Sequence, residues 1–167
     1  MPRACAITSI SLDHVRQLGD TLPQIAAEKA GIIKPGVPIA VGAMPAEARE
    51  AILQVARERG CRALVAGRDF QSDYQPPNRF SFRSCDDHEC FEIVDAPLRM
   101  RGRQQAENAA VAVAVALELR RQGWLISEDA IRGGLAEAFL PGRIESIGSE
   151  PEVVIDVAHN VAAAEAL

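Results

Sequence analysis

The chain has 167 residues, 48% of them hydrophobic and 25% charged, and its 18 basic and 23 acidic side chains leave a formal net charge of -5. A chain of this length buries roughly two thirds of its unfolded surface, so it can build a core without staples, and both disorder and a disulfide scaffold are disfavoured. No apolar run reaches the ~18 residues that span a bilayer, the amino-terminal residues lack the order of a secretion signal, and no basic stripe marks a phosphate-backbone binder. The composition leads us to expect a cytoplasmic globular protein with no membrane or nucleic-acid partner.

In chain order, Ala4 to Ile10, Val37 to Val41 and Ala63 to Ala66 are short apolar runs bounded by Gly, Pro or polar residues, as buried parallel strands usually are. Helical patterns lie between them. Thr21-Leu-Pro-Gln24 has the capping-box form and Gly31 reads as a stop, which brackets a helix from about Leu22 to Ala30. A second helix runs from about Pro45 to Arg59, with Ala48, Ile52 and Val55 along one side and Gly60 as its stop. Strand, helix, strand, helix, strand is a βαβαβ unit with right-handed crossovers and helices covering the sheet.

After Gly67 the chain turns polar and Pro-containing, then gives two short strands, Phe80 to Arg83 and Phe91 to Val94, read as an antiparallel flap. Between them Ser84-Cys-Asp-Asp-His-Glu-Cys90 is the one cluster with metal-ligand chemistry. Four-ligand zinc sites draw on a second, distant pair, and the sequence offers none, so a polar turn is the favoured reading. Residues 109 to 119 alternate Val and Leu with Ala and Glu in the period of a strand. The abundance of Ala, the strongest helix former, and the stop at Gly123 favour a largely buried helix from about Gln105 to Gln122. Ser127 caps a further helix through about Phe139, Pro141-Gly142 breaks it, Val153 to Val157 reads as a strand, and Asn160 opens a last helix.

The stretch from Ile7 to Gly36, with Leu12-Asp-His14 and Ile25-Ala-Ala-Glu-Lys29-Ala-Gly-Ile-Ile-Lys34-Pro-Gly36, resembles one block of the folylpolyglutamate synthase and dihydrofolate synthase family, within the Mur ligase superfamily. Three later blocks agree in order and spacing: Gln105-Ala-Glu-Asn108-Ala-Ala, Leu140-Pro-Gly-Arg143-Ile-Glu145 and Asp156-Val-Ala-His159-Asn160. The resemblance covers essentially the whole chain. It implies an α/β three-layer sandwich with a mostly parallel sheet, a small antiparallel flap and the start of a second α/β domain. Residues 1–140 would be part of the central ATPase domain, and 141–167 the hinge and the start of the carboxy-terminal domain.

The implied reaction is ATP-driven amide formation, in which a folate or dihydropteroate carboxylate becomes an acyl phosphate that the amine of L-glutamate attacks. Mg2+ would neutralise the phosphate oxygens, with His14 as its ligand. No G-x-x-x-x-G-K-[ST] phosphate loop occurs in the 167 residues. The chain is therefore expected to be a piece of the enzyme, inactive alone and prone to self-association through an exposed sheet edge, whereas the full enzyme is expected to be a monomer.

Lys29 matches the family's carbamylated lysine. Leu22, Ile25, Ala26 and Lys29 share one helical face, so partial burial of Lys29 is expected, favouring the neutral amine that adds CO2. The simpler alternative is a cation complementing the end of its own helix. Asn108, with Gln105 beside it, would read the adenine ring, since an amide both donates and accepts. Position 104 is Gln where the family commonly has His. Arg143 would hold phosphate oxygens or pair with Glu145, Asp156 would accept from ribose hydroxyls or cap a strand end, and His159 would face the reacting phosphate or acyl group. Val157 and Val161 replace the Gly and Pro that commonly flank the last motif. Another Mur-type amide ligase and a non-catalytic scaffold remain as alternatives.

Overall fold

The computed structural model describes residues 1–12, 18–85, 90–165 and 167. Strands β1 (Cys5–Ile7), β2 (Ile39–Val41) and β3 (Ala63–Val65) form a parallel sheet in that order, with Cys5 opposite Ile39 and Ile39 opposite Ala63. Helix α1 (Leu22–Lys29) connects β1 to β2, and α2 (Ala46–Glu58) connects β2 to β3. The capping box forms as read. Thr21 Oγ1 accepts from the Gln24 N–H at 3.4 Å, and Gln24 Oε1 accepts from the Thr21 N–H at 3.2 Å. Gly31 is not the stop. Past Lys29 the backbone tightens into a 3-10 turn over Ala30–Ile32, so Gly31 lies inside a helical turn instead of ending one.

Because strand side chains alternate, β2 serves both layers. Ile39 and Val41 are buried with Ile25, Ala26 and Ala30 from the α1 region and Ala48, Ile52 and Ala56 from α2. Ala40 belongs to the opposite core, against helix α3 (Arg103–Arg121). This is the expected helix, sheet, helix sandwich. The α3 stretch is a helix despite its strand-like alternation, and the contacts explain why Val111 and Val113 are both buried. One side of α3 carries Ala106, Ala110 and Ala114 in the core with Ala40, and the same core takes in residues of a second sheet.

That second sheet is larger than the flap the sequence suggested. Strands β4 (Phe70–Gln75), β5 (Arg79–Cys85) and β6 (Cys90–Pro97) form an antiparallel meander. β4 escapes sequence reading because Gln71, Ser72 and Asp73 are exposed and Phe70 alone is buried. Phe70 stacks on Phe82 with ring centroids 5.8 Å apart, and Phe82 meets Phe91 at 6.4 Å. Cys85 and Cys90 are register partners at the ends of β5 and β6 and are joined by a disulfide. Their sulfurs are thus committed to each other, against the zinc reading, and the turn between them lies outside the described residues.

Helix α4 (Glu128–Glu137) starts at Ser127, whose Oγ accepts from the Ala130 N–H at 3.1 Å. Strands β7 (Glu145–Ser149) and β8 (Glu152–Ile155) then make a hairpin. Only β8 was expected, because β7 holds Gly and Ser and has no apolar run. A short helix α5 (Val161–Glu165) follows, with Asn160 Oδ1 accepting from the Ala163 N–H at 2.8 Å. Among the described residues no helix is long and apolar enough to cross a membrane.

Candidate functional site

The amino-terminal end of α3 organises the first group of candidate residues. Gly102, just before the helix, has φ of 99°, and a Cβ there would lie 2.7 Å from Ile144 Cδ1 and from Gln104 Oε1, so this approach requires glycine. The Gly102 N–H donates to the Tyr74 hydroxyl at 3.0 Å, which ties the helix start to β4. One turn on, Gln105 is buried and Asn108 exposed, and Asn108 Nδ2 donates to Gln105 Oε1 at 3.4 Å. Both side chains line a groove of about 460 Å3 between α3 and α4, whose apolar lining includes Leu98, Met100, Val113, Ile131 and Leu135. Apolar walls with a few polar groups at one end suit a flat heteroaromatic ring that hydrogen-bonds along one edge. Gln104 turns its Oε1 inward, where it is buried with no hydrogen-bond partner among the described residues, and it does not line this groove.

The second group lies where the chain leaves α4. The Gly142 N–H donates to Glu145 Oε2 at 2.8 Å, and Gly142 O accepts from the Val157 N–H at 2.9 Å. Asp156 Oδ2 accepts from the Ile144 N–H at 2.9 Å and its Oδ1 from the Ala158 N–H at 2.7 Å. The strand-end capping considered for Asp156 therefore exists. Two of the four or so acceptor positions of a carboxylate are used in it, and the rest can take a ligand hydroxyl. Glu145 serves the Gly142 backbone, and Arg143 beside it is half-buried. His159 is exposed, with Nδ1 3.0 Å from Val157 O. A donating Nδ1–H makes Nε2 the acceptor of the ring.

Both departures flanking the last motif are absorbed. Val157 Cγ1 packs where a Cβ on Gly142 would be, and Val161 is the exposed first residue of α5, a position that Pro and other residues occupy equally well. Since Ile144 approaches Gly102 and Asp156 holds Ile144, the turn that follows Arg143 and the Asp156 carboxylate lie beside the residue that precedes α3.

Lys29 departs from expectation. Ile25, Ala26 and Ala30 are buried, but Lys29 is exposed, so the burial that would favour a neutral amine is not present. The reason is geometric: the buried seam of this short helix runs through positions 25, 26 and 30, and position 29 falls on its border. Lys29 is instead the basic residue of the last turn, where a cation complements the helix dipole. His14 lies outside the described residues. Among the described residues no group of three or more His, Cys, Asp or Glu is placed to hold a metal ion.

Sequence reasoning missed a second cavity. About 300 Å3 in size, it opens where β2 and β3 end, and Arg49, Arg103 and Glu107 are among its lining residues. These charges come from two helices more than fifty positions apart, so no local spacing announces them.

No family model matches the chain. Among curated proteins, it is 37% identical to the dihydrofolate synthase/folylpolyglutamate synthase of Bacillus subtilis over 99% of its own length, and 39% identical to that of Escherichia coli over 96%. The chain belongs to the folylpolyglutamate synthase and dihydrofolate synthase family. It spans about two-fifths of the length of these relatives, 39% of the first and 35% of the second. Solved structures agree. An FPGS-AMPPCP-folate complex matches 99% of the chain and 40% of its own with a TM-score of 0.89 at 31% identity. Escherichia coli FolC in complex with DHPP and ADP matches 96% and 36% with a TM-score of 0.79 at 37% identity.

Proposed function

We propose that the chain carries the nucleotide-reading and hinge part of an ATP-dependent ligase that joins L-glutamate to folate or dihydropteroate through an acyl phosphate. The observation that carries this reading is the Asn108–Gln105 amide pair lining an apolar groove, on the helix whose start is approached by Ile144 of the turn that Asp156 holds. The synthase names of the relatives, and the neighbours' complexes with AMPPCP and folate and with DHPP and ADP, support it.

In this reading Asn108 and Gln105 present donor and acceptor to the adenine edge, and the lone pairs of Asp156 left over from its two backbone bonds accept ribose hydroxyls. Arg143 offers a planar guanidinium to phosphate oxygens. His159 Nε2 faces the reacting group as an acceptor when Nδ1 is held by Val157 O. The division is that residues 1–140 belong to the central ATPase domain, and 141–167 to the hinge and the start of the next domain.

The implied Mg2+ finds no cluster of ligands among the described residues, so no step is routed through it. His14 and Lys29 are proposed for the metal side of the site on the family resemblance alone.

The test is calorimetric titration of the 167-residue chain with ADP and with a non-hydrolysable ATP analogue. Saturable binding is expected, weakened about tenfold by Asn108→Ala, the loss of one or two net hydrogen bonds. Absence of binding to the unsubstituted chain would overturn the reading. With folate, glutamate and ATP, this chain, which has no phosphate-loop motif, is expected to release no ADP.

A further inference from the structure

Tyr74, the single tyrosine of the chain, lies on β4 and does not line the groove that carries the amide pair, yet its hydroxyl bonds to the backbone where that helix begins. Its ring is half-buried against the core beneath α3, which includes Ala106 and also Phe80, the register partner of Tyr74 on β5. Two bonds orient the hydroxyl. It donates to Pro77 O in the turn after β4 and accepts from the Gly102 N–H at 3.0 Å. An amide at a helix start finds no carbonyl within its own helix, so its acceptor must come from elsewhere in the fold. Of the amides leading into α3, Leu98 N–H donates to Asn78 O at 2.8 Å and Arg99 N–H to Leu135 O at 3.1 Å, both backbone acceptors. At Gly102 the acceptor is a side chain. The Gly102 carbonyl accepts in turn from the Gln105 N–H at 3.1 Å and the Ala106 N–H at 3.2 Å, and Gln105 Oε1 accepts from Asn108 Nδ2 at 3.4 Å. A Cβ on the same glycine would lie 2.7 Å from Ile144 Cδ1, so the turn that Asp156 holds abuts this point as well.

We propose that Tyr74 is a positioning residue for base recognition, its hydroxyl holding Gly102 where Gln105 and Asn108 are aimed at the edge of the purine. The assignment rests on the ligase reading above and names what sets the base preference of that same site. Adenine carries an exocyclic amine, a donor, where hypoxanthine carries a carbonyl oxygen, so telling them apart needs a donor and an acceptor at fixed points. Gln105 is buried and its backbone is tied to Gly102, so it cannot readjust independently when the helix start moves. Removing the hydroxyl alone leaves the Gly102 N–H and Pro77 O each one partner short, while the ring still fills its place in the core. The amide pair then loses its fixed aim, and discrimination falls more than folding does.

Calorimetric titration of the 167-residue chain with ADP and with inosine diphosphate, before and after Tyr74→Phe, tests this. ADP is expected to bind about fivefold more weakly to the variant, the scale of one net hydrogen bond, and the preference for ADP over inosine diphosphate to narrow about threefold. In a double-mutant cycle the effect of Tyr74→Phe should largely vanish once Asn108→Ala has removed the reading group, a coupling that lost stability alone would not produce. Asp95→Asn, which loosens the same sheet at its Arg79 pair, should leave the affinity and the preference unchanged. A further measurement needs no variant: saturating ADP should slow hydrogen exchange at the Gly102 amide, because coupling between the two sites is reciprocal. The proposal is overturned if Tyr74→Phe keeps the full preference for ADP, if its effect simply adds to that of Asn108→Ala, or if ADP leaves exchange at Gly102 unaltered. Missing ADP binding to the unsubstituted chain would strike the ligase reading. Normal ADP binding with an intact preference in Tyr74→Phe would strike this proposal alone.

Discussion

The Ile144 N–H donates to Asp156 Oδ2 at 2.9 Å, fastening the entry of the β7–β8 hairpin to its exit, twelve positions on. The other oxygen of the same carboxylate accepts from the Ala158 N–H at 2.7 Å. Ile144 is held at φ of 47°, a conformation costly for a β-branched residue, so the bond also maintains backbone strain in the turn before β7.

Asp156→Ala is therefore expected to destabilise the base of the β7–β8 hairpin by about 2 kcal/mol, the scale of charge-assisted bonds lost from partly buried amides. Asp156→Asn, which keeps one acceptor, should recover part of that. Hydrogen exchange checks it: the Ile144 and Ala158 amides should lose protection in the Ala variant. Unchanged exchange at both would show that the carboxylate does not hold the turn.

Gly42 stands where β2 ends, and a Cβ there would lie 2.0 Å from Thr8 O and 3.1 Å from Val111 Cγ2. Backbone cannot yield as a flexible side chain can. Gly42→Ala is expected to cost about 3 kcal/mol or more, by forcing β1 and α3 apart. Urea unfolding measures it, and a loss below ~1 kcal/mol would contradict the packing described.

The hydrogen bond from Arg79, with its charge, holds the Asp95 carboxyl below its usual range, and Arg79 Nε donates to Asp95 Oδ1 at 2.7 Å. A depressed folded-state pKa means that the contribution to stability is present above the unfolded-state value, near pH 4, and is lost as pH falls through the folded one. The melting temperatures of the native chain and of Asp95→Asn should accordingly differ slightly at pH 7 and converge in strong acid. A gap that widens on acidification would refute the sign.

Lys29, exposed beyond the buried seam of α1, should tolerate Lys29→Ala with a stability change within about 0.5 kcal/mol, the range for surface positions. Thermal unfolding decides it. A loss of several kcal/mol would mean that the side chain is packed after all.

Much of the layered core was legible because its signals are local. The capping residues Thr21 and Ser127, the apolar runs of β1, β2 and β3, and the Ala-rich stretch of α3 each follow from propensities and hydrogen bonds within a few positions of one another. β4 and β7 were not legible, since Phe70 is the single buried residue of the first and the second is polar and Gly-containing. Both are strands because a neighbour supplies the ladder. The disulfide between Cys85 and Cys90 likewise follows from the register of β5 with β6.

The order of residues alone determined the βαβαβ unit, the buried helix α3 and the family motifs, because period, caps and motif spacing are properties of contiguous chain. The tertiary structure decided that Lys29 faces water, that Asp156 grips Ile144, and that Arg49 and Arg103 share one cavity. Each of these depends on how distant segments pack, and a side chain's surroundings are set by whichever segments the core brings beside it.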